Sequence, residues 1–226
     1  KKYVEASNKV EKNKAYGVEE AVKLVKETSI TKFDSSVEVA MNLNIDTKKS
    51  DQQLRGSIVL PNGTGKSKKI LVLAKGAAAA EAKEAGADFV GDTDLIDKIA
   101  NENWFDYDTI VATPEMMPAL GKIGKVLGPK GLMPNPKTGT VTTTPAKTVT
   151  DIKKGMVEYR ADSLGNVHGI IGKVSFDEKA LSENLTYFIN TIIKSKPTTI
   201  KGKFVKSISI CTTMGPGIKI DLNSFD

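Results

Sequence analysis

Apolar and polar positions alternate most regularly where Val37, Val39, Met41, Leu43 and Ile45 fall on one side of an extended chain. That period of two predicts a half-buried strand. The same period returns near the C-terminus. There Phe204, Ile208 and Ile210 share one face, and Val205, Ser207, Ser209 and Cys211 the other. Gly215-Pro216-Gly217 interrupts the alternation, and Ile218, Ile220 and Leu222 resume it, so a hairpin is expected. Residues 54–60, 156–160 and 167–174 are further strand candidates, with a turn at 162–166. Two stretches change to helical spacing. Val18, Ala21, Val22 and Val25 predict a short amphipathic helix after Gly17. Leu181, Leu185, Phe188, Ile189 and Ile192 predict a longer one with a core-facing stripe, and Ser175 and Glu178 before it have capping-box spacing.

The middle of the chain follows another rule. Residues 70–73 and 109–112 are continuous apolar runs, as in strands buried on both faces. A short strand at 88–90 and helices at 77–85, 93–103 (Thr93 as N-cap) and 115–127 lie around them, the last broken by glycines. Alternating strands and helices predict a parallel sheet. Pro61-Asn62-Gly63-Thr64-Gly65 and Lys153-Lys154-Gly155 mark its boundaries. Residues 1–64 and 156–226 are each too small to bury a core alone. Together they make one α+β domain, split by an α/β domain inserted at 65–155. Two small domains in series are the alternative.

Charge narrows the partner. The chain has 226 residues and a formal net charge of +6, which favours nucleic acid or an anionic surface over acidic substrates. Between Asn184 and Ile220 there is no acid, while Lys194, Lys196, Lys201, Lys203, Lys206 and Lys219 are present. This field suits a polyanion; a solvated edge that discourages strand pairing is the alternative. In the middle piece, residues 81–115 hold ten acids against two lysines, and residues 116–155 seven lysines against one Asp. The basic half contains the proline- and glycine-rich loop 128–139, with Lys130 and Lys137; loops this long are usually functional or disordered, and the frequent prolines favour a shaped surface over disorder. A single cysteine excludes an internal disulfide and fits a reducing cytosol. The charged first residues lack the apolar core of a secretory signal, and no apolar run is long enough to span a membrane. The absence of an initiator Met is expected from processing.

Several familiar patterns fail. Gly65-Lys66-Ser67 ends like a phosphate-binding loop, but Leu60 stands where its first glycine is required. Gly215-x-Gly217 opens a dinucleotide fingerprint that Ile220 breaks. Gly121-Lys122-Ile123-Gly124 matches a GXXG loop only by its two glycines. His168 and Cys211 have no third partner for a nucleophilic dyad. Asp92, Asp94 and Asp97 suit a helix start rather than a metal, and no zinc-ligand spacing occurs. An RNA-type constellation remains. Lys32, Phe33 and Ser36 precede the clearest strand, and Thr213-Met214-Gly215 follow another. If those strands are neighbours, an aromatic ring, small hydroxyls and an open glycine backbone share one surface. Phe33 is equally open to a core position.

The segments LVLAKG (71–76), EAGADFVG (84–91), VATPEMM (111–117), VLGPKGLMPNPKTGTV (126–141) and TTMGPG (212–217) carry a resemblance. The chain resembles, end to end, the bacterial family of large-subunit ribosomal protein one. The resemblance implies a split α+β domain with a Rossmann-like α/β insertion, no enzymatic activity, no cofactor and no metal. It implies binding of large-subunit ribosomal RNA in the mobile stalk through Lys32, Phe33, Ser36, Glu38, Arg160, Asp162, Ser207, Thr213, Met214 and Gly215. Lys130 and Lys137 are expected to make secondary RNA contacts. Family members often carry Thr in place of Ser36, which keeps the hydroxyl, and some carry Lys in place of Ser163, a phosphate contact absent here. Further implied roles are assisting release of deacylated exit-site tRNA and repressing translation of the operon's own messenger RNA. A cytoplasmic, ribosome-associated protein, monomeric when free and without a membrane partner, is expected. The rival from the residues is a nucleotide-dependent α/β enzyme built on the middle domain.

Overall fold

The computed structural model describes residues 1–11 and 14–225. In chain order its helices are α1 (Lys2–Asn8), α2 (Val18–Glu27), α3 (Ala77–Glu84), α4 (Thr93–Glu102), α5 (Met117–Lys122), α6 (Gly124–Leu127), α7 (Pro145–Lys153) and α8 (Glu178–Lys194). The strands are β1 (Ser36–Leu43), β2 (Arg55–Val59), β3 (Ile70–Leu73), β4 (Phe89–Gly91), β5 (Thr109–Ala112), β6 (Met156–Arg160), β7 (Asn166–Lys173), β8 (Val205–Thr212) and β9 (Ile218–Ile220). Parallel and antiparallel sheets coexist, so the chain is mixed α/β. It divides into two compact units, Lys1–Gly65 with Gly155–Asp226, and Lys66–Lys154.

The discontinuous unit is built on an antiparallel sheet in the order β7-β1-β8-β9, beside the two-stranded pair β2-β6. Along β1 the odd positions Val37, Val39, Met41 and Leu43 are buried, while Ser36, Glu38, Ala40 and Asn42 face outward. The inward side chains meet α2 and the stripe of α8, where Leu181, Leu185, Phe188, Ile189 and Ile192 are all buried. Approach is close. A Cβ on Gly169 of β7 would sit 2.5 Å from the Phe188 ring, so glycine is required there. Asn184, wholly buried in the same helix, donates to the carbonyls of Gly63 and Ile171 and accepts from the Asn62 N–H. All of its strong polar positions are therefore satisfied.

The inserted unit has the parallel sheet β4-β3-β5. All four residues of β3 are buried, as covering on both faces demands. Phe89, Trp104 and Tyr107 stack edge-to-face beside it, with ring centroids 4.8 and 5.3 Å apart. Burial pushes the Tyr107 hydroxyl up to about 12.

Some local expectations are corrected. The capping box does not form. Asp177 takes the N-cap position, and Ser175 instead donates its hydroxyl and its N–H to the Asp34 carboxylate at 2.8 and 3.0 Å. The cap of α4 is Asp92, whose side chain accepts from the Thr93 N–H. The 115–127 helix is a short 3-10 turn followed by α5 and α6, parted at Ile123. Val205 is buried because a bulge shifts the register between Asn42 and Leu43, and Phe204, just before β8, is buried as well. Leu222 lies in a 3-10 turn and Ile45 beyond its strand. Two helices were not expected. One is α1; the other is α7, with Pro145 in its first turn.

Candidate nucleic-acid interface

The strand pairing decides which residues meet. β1 lies antiparallel to both β7 and β8, so the beginning of β1 adjoins the ends of the other two. At that end the Thr213 hydroxyl accepts from the Ser36 N–H at 3.2 Å and donates to the Ser36 carbonyl at 3.4 Å, while the Thr213 N–H reaches the same carbonyl at 3.1 Å. Lys173, closing β7, donates from Nζ to the Ser36 hydroxyl at 3.0 Å.

Two large apolar side chains stand beside this polar knot in water. Phe33 is 63% exposed and Met214 72% exposed. Phe33 is thus a surface residue and not a core one. Met214 has φ +66, the left-handed region that a side chain normally avoids. Gly215 follows with its N–H on the Thr212 carbonyl at 2.8 Å. A Cβ on Gly215 would collide with the Thr212 hydroxyl, so only glycine lets the turn close. Lys32 is exposed next to Phe33.

The remaining predicted residues lie along the open face of the sheet. Glu38 is exposed one step along β1, opposite Ile170 and Cys211. Ser207 pairs with Asn42 at the far end, about 20 Å from Ser36 at a strand's rise per residue. There the Asn42 amide donates to Asn166 Oδ1 at 2.6 Å, and Asn166 donates its N–H and its amide to Asp162 at 2.8 and 3.0 Å. These Asn166 bonds, with a weaker one from the Leu164 N–H, hold the Asp162 carboxyl below the usual range. His168 Nε2 stands 4.0 Å from the same carboxylate. Arg160 ends β6, exposed and paired with Arg55 across the two-stranded sheet. The predicted set therefore comprises a compact cluster (Lys32, Phe33, Ser36, Thr213, Met214, Gly215) and a second group at the other end, joined by an open face.

Lys130 and Lys137 belong to the inserted unit. Lys130 sits 4.1 Å over the Phe105 ring and Lys137 in a short turn capped by Asn135. The loop they share is ordered by its own bonds, with Thr138 and Thr140 buried. Cys211 is half-buried; burial first, and the Glu38 charge second, raise its thiol pKa, which disfavours a nucleophilic thiolate. Sequence reasoning missed Lys173, Asn42 and Asn166. Each lies at or next to the end of a strand whose neighbours are decided by pairing alone, so no local signal marked them.

The model of the Ribosomal protein L1p/L10e family matches residues 25–216. The chain is also 61% identical over 221 residues to the large ribosomal subunit protein uL1 of Mycoplasma capricolum subsp. capricolum, covering 98% of this chain and 97% of that protein. With the family pattern extending through both the Phe33 and the Met214 ends of the sheet cluster, the chain belongs to the Ribosomal protein L1p/L10e family.

Proposed function

We propose that the chain is a non-enzymatic structural component of the large ribosomal subunit that holds large-subunit ribosomal RNA. The primary surface is the Ser36–Thr213 end and open face of the β7-β1-β8-β9 sheet, in a split domain of residues 1–64 and 156–226. The observation that carries this is the pair Phe33 and Met214, both exposed beside a Thr213 hydroxyl held by the Ser36 backbone and a Ser36 hydroxyl held by Lys173. An aromatic ring and an adaptable thioether offer stacking surface. Ordered hydroxyls and a bare glycine backbone admit ribose and phosphate closely. The relative in Mycoplasma capricolum, a large-subunit protein by name, supports the reading.

The finer roles belong to the same proposal. Lys130 and Lys137 of the inserted residues 65–155 make secondary RNA contacts. The chain assists release of deacylated exit-site tRNA. It also represses translation of its own operon's messenger RNA. It acts in the cytoplasm on the ribosome and is a monomer when free.

Filter binding against large-subunit and small-subunit ribosomal RNA is the test. Tight retention of the large-subunit RNA alone is expected; equal retention of both refutes the assignment. A nucleotide that raises the melting temperature would instead favour an enzyme built on the inserted unit.

A further inference from the structure

Lys173 stands opposite Ser36 in the register of β7 and β1. Its ammonium donates to the Ser36 hydroxyl at 3.0 Å and to the Asp34 carbonyl at 3.4 Å. An ammonium has three donors and no acceptor. The Ser36 oxygen must therefore be the acceptor, and its own proton is left to donate outward. One ammonium N–H is also left without a partner among the described residues.

Thr213 is set the opposite way. Its hydroxyl already donates to the Ser36 carbonyl and accepts from the Ser36 N–H, so what remains is a lone pair. The cluster end thus offers one outward donor and one outward acceptor. A ribose 2′-hydroxyl matches both at once, and deoxyribose matches neither.

Lys173 is held for this task. A Cβ on Gly65, at φ +70, would come 3.0 Å from Lys173 Cγ and 2.9 Å from the Phe176 ring, so the lysine stem passes over a glycine that leaves it room. The ammonium's charge is also uncompensated. Asp34, the nearby acid, gives its two oxygens to Ser175, and Lys173 forms no ion pair among the described residues.

We propose that Lys173 is the positioning residue of this site. It turns the Ser36 hydroxyl outward as a donor beside the Thr213 acceptor, so that the pair reads a ribose 2′-hydroxyl, and its spare N–H takes the adjoining phosphate. This rests on the RNA-binding reading above and adds to it a residue and a ligand atom.

The test pairs protein variants with RNA variants. A large-subunit ribosomal RNA fragment retained by the wild-type chain is remade with single 2′-deoxy positions, and each version is titrated by fluorescence anisotropy. One deoxy position should weaken wild-type binding about tenfold, the scale of a lost hydrogen bond in a desolvated site. Lys173→Met should weaken binding of the all-ribose fragment about ten- to a hundredfold and should abolish the penalty at that one position. Lys173→Arg, which still donates, should keep most of both. Lys179→Met, on the exposed side of α8, should change neither.

A Lys173→Met variant that loses affinity and salt slope but keeps the full deoxy penalty overturns the positioning role, because the lysine is then a plain phosphate contact. A lower melting temperature with affinity intact per folded molecule overturns it too, as a purely structural lysine. If the wild-type chain retains no large-subunit RNA, the functional reading falls first and this assignment with it.

Discussion

The two larger sheets of the chain handle their faces differently, and the difference decides which of them can offer a binding face. The parallel β4-β3-β5 sheet is buried through its centre, so it shows ligands only its loops. The antiparallel β7-β1-β8-β9 sheet buries one face against α2 and α8 and leaves the other in water. On that open face the small side chains Ser36, Ala40, Asn42, Ser207 and Ser209 stand among the larger Glu38, His168, Ile170 and Lys206. A half-covered sheet can thus be both a scaffold and a binding surface. A sheet covered on both sides can only be a scaffold.

If the two units are also energetically separate, a core deletion in one should spare the other. Phe188→Ala empties the centre of the discontinuous unit, where the ring is fully buried under Gly169, and should cost about 3–5 kcal/mol. The only tryptophan, Trp104, lies in the inserted unit and reports on it alone. Urea unfolding should show the far-ultraviolet dichroism transition moving to lower denaturant while Trp104 fluorescence keeps its midpoint. Joint movement of both signals would show one cooperative structure and break the comparison.

Within the open sheet, the turn at its Ser36–Thr213 end should separate stability from binding. Met214→Ala should lose about 1–3 kcal/mol of affinity for the cognate RNA, the scale of a lost stacking surface. Met214→Gly should lose as much while gaining about 1 kcal/mol of stability, since glycine is at ease at φ +66. Thr213→Ala should lower both, because the same hydroxyl serves Ser36. Calorimetry and binding on the three proteins decide this; an unstabilised, fully binding Met214→Gly would make the turn a mere connector.

The other end of the sheet offers a weaker, electrostatic contrast. Lys203 and Lys206 are both exposed beside the start of β8. If each neutralises a phosphate, Lys203→Ala and Lys206→Ala should each reduce the log–log salt slope of binding by roughly 0.7–0.9. Unchanged slopes leave the lysine field as a solvated edge.

Asp162 should give the smallest effect. Its folded pKa is depressed, so its stabilising bonds to Asn166 are fully present above the unfolded value near 3.8 and fade as pH falls through the lower folded value. Asp162→Asn should lower the melting temperature slightly near neutral pH, and the gap to wild type should close in acid. A gap independent of pH would assign the effect to the amide's fit rather than to the charge.

Much of this was legible in the chain. The period of two in β1 and the helical stripe of α8 both appear in the structure, because a sheet with one wet face and a helix on its core must write those periods into the sequence. The continuous apolar run of β3 was equally plain. The caps and the bulge were not. Ser175 had the right spacing for a capping box but was drawn to Asp34, 141 residues away in sequence, by a stronger charged acceptor. The bulge opposite Asn42 and Leu43 left the neighbours Lys206 and Ser207 both outward and turned Val205 inward against the alternation.

Residue types and turn signals thus named Phe33, Ser36, Thr213, Met214 and Gly215 as capable of holding RNA. Only the antiparallel pairing of β1 with β8, 177 residues apart where Thr213 meets Ser36, brought Ser36 and the Thr213 turn to one end of the sheet. The separate pairing of β1 with β7 brought Lys173, unremarkable by spacing, onto the Ser36 hydroxyl. Side-chain chemistry is local and can be read along a chain. The partners of a strand end are set by long-range register, which a single sequence does not carry.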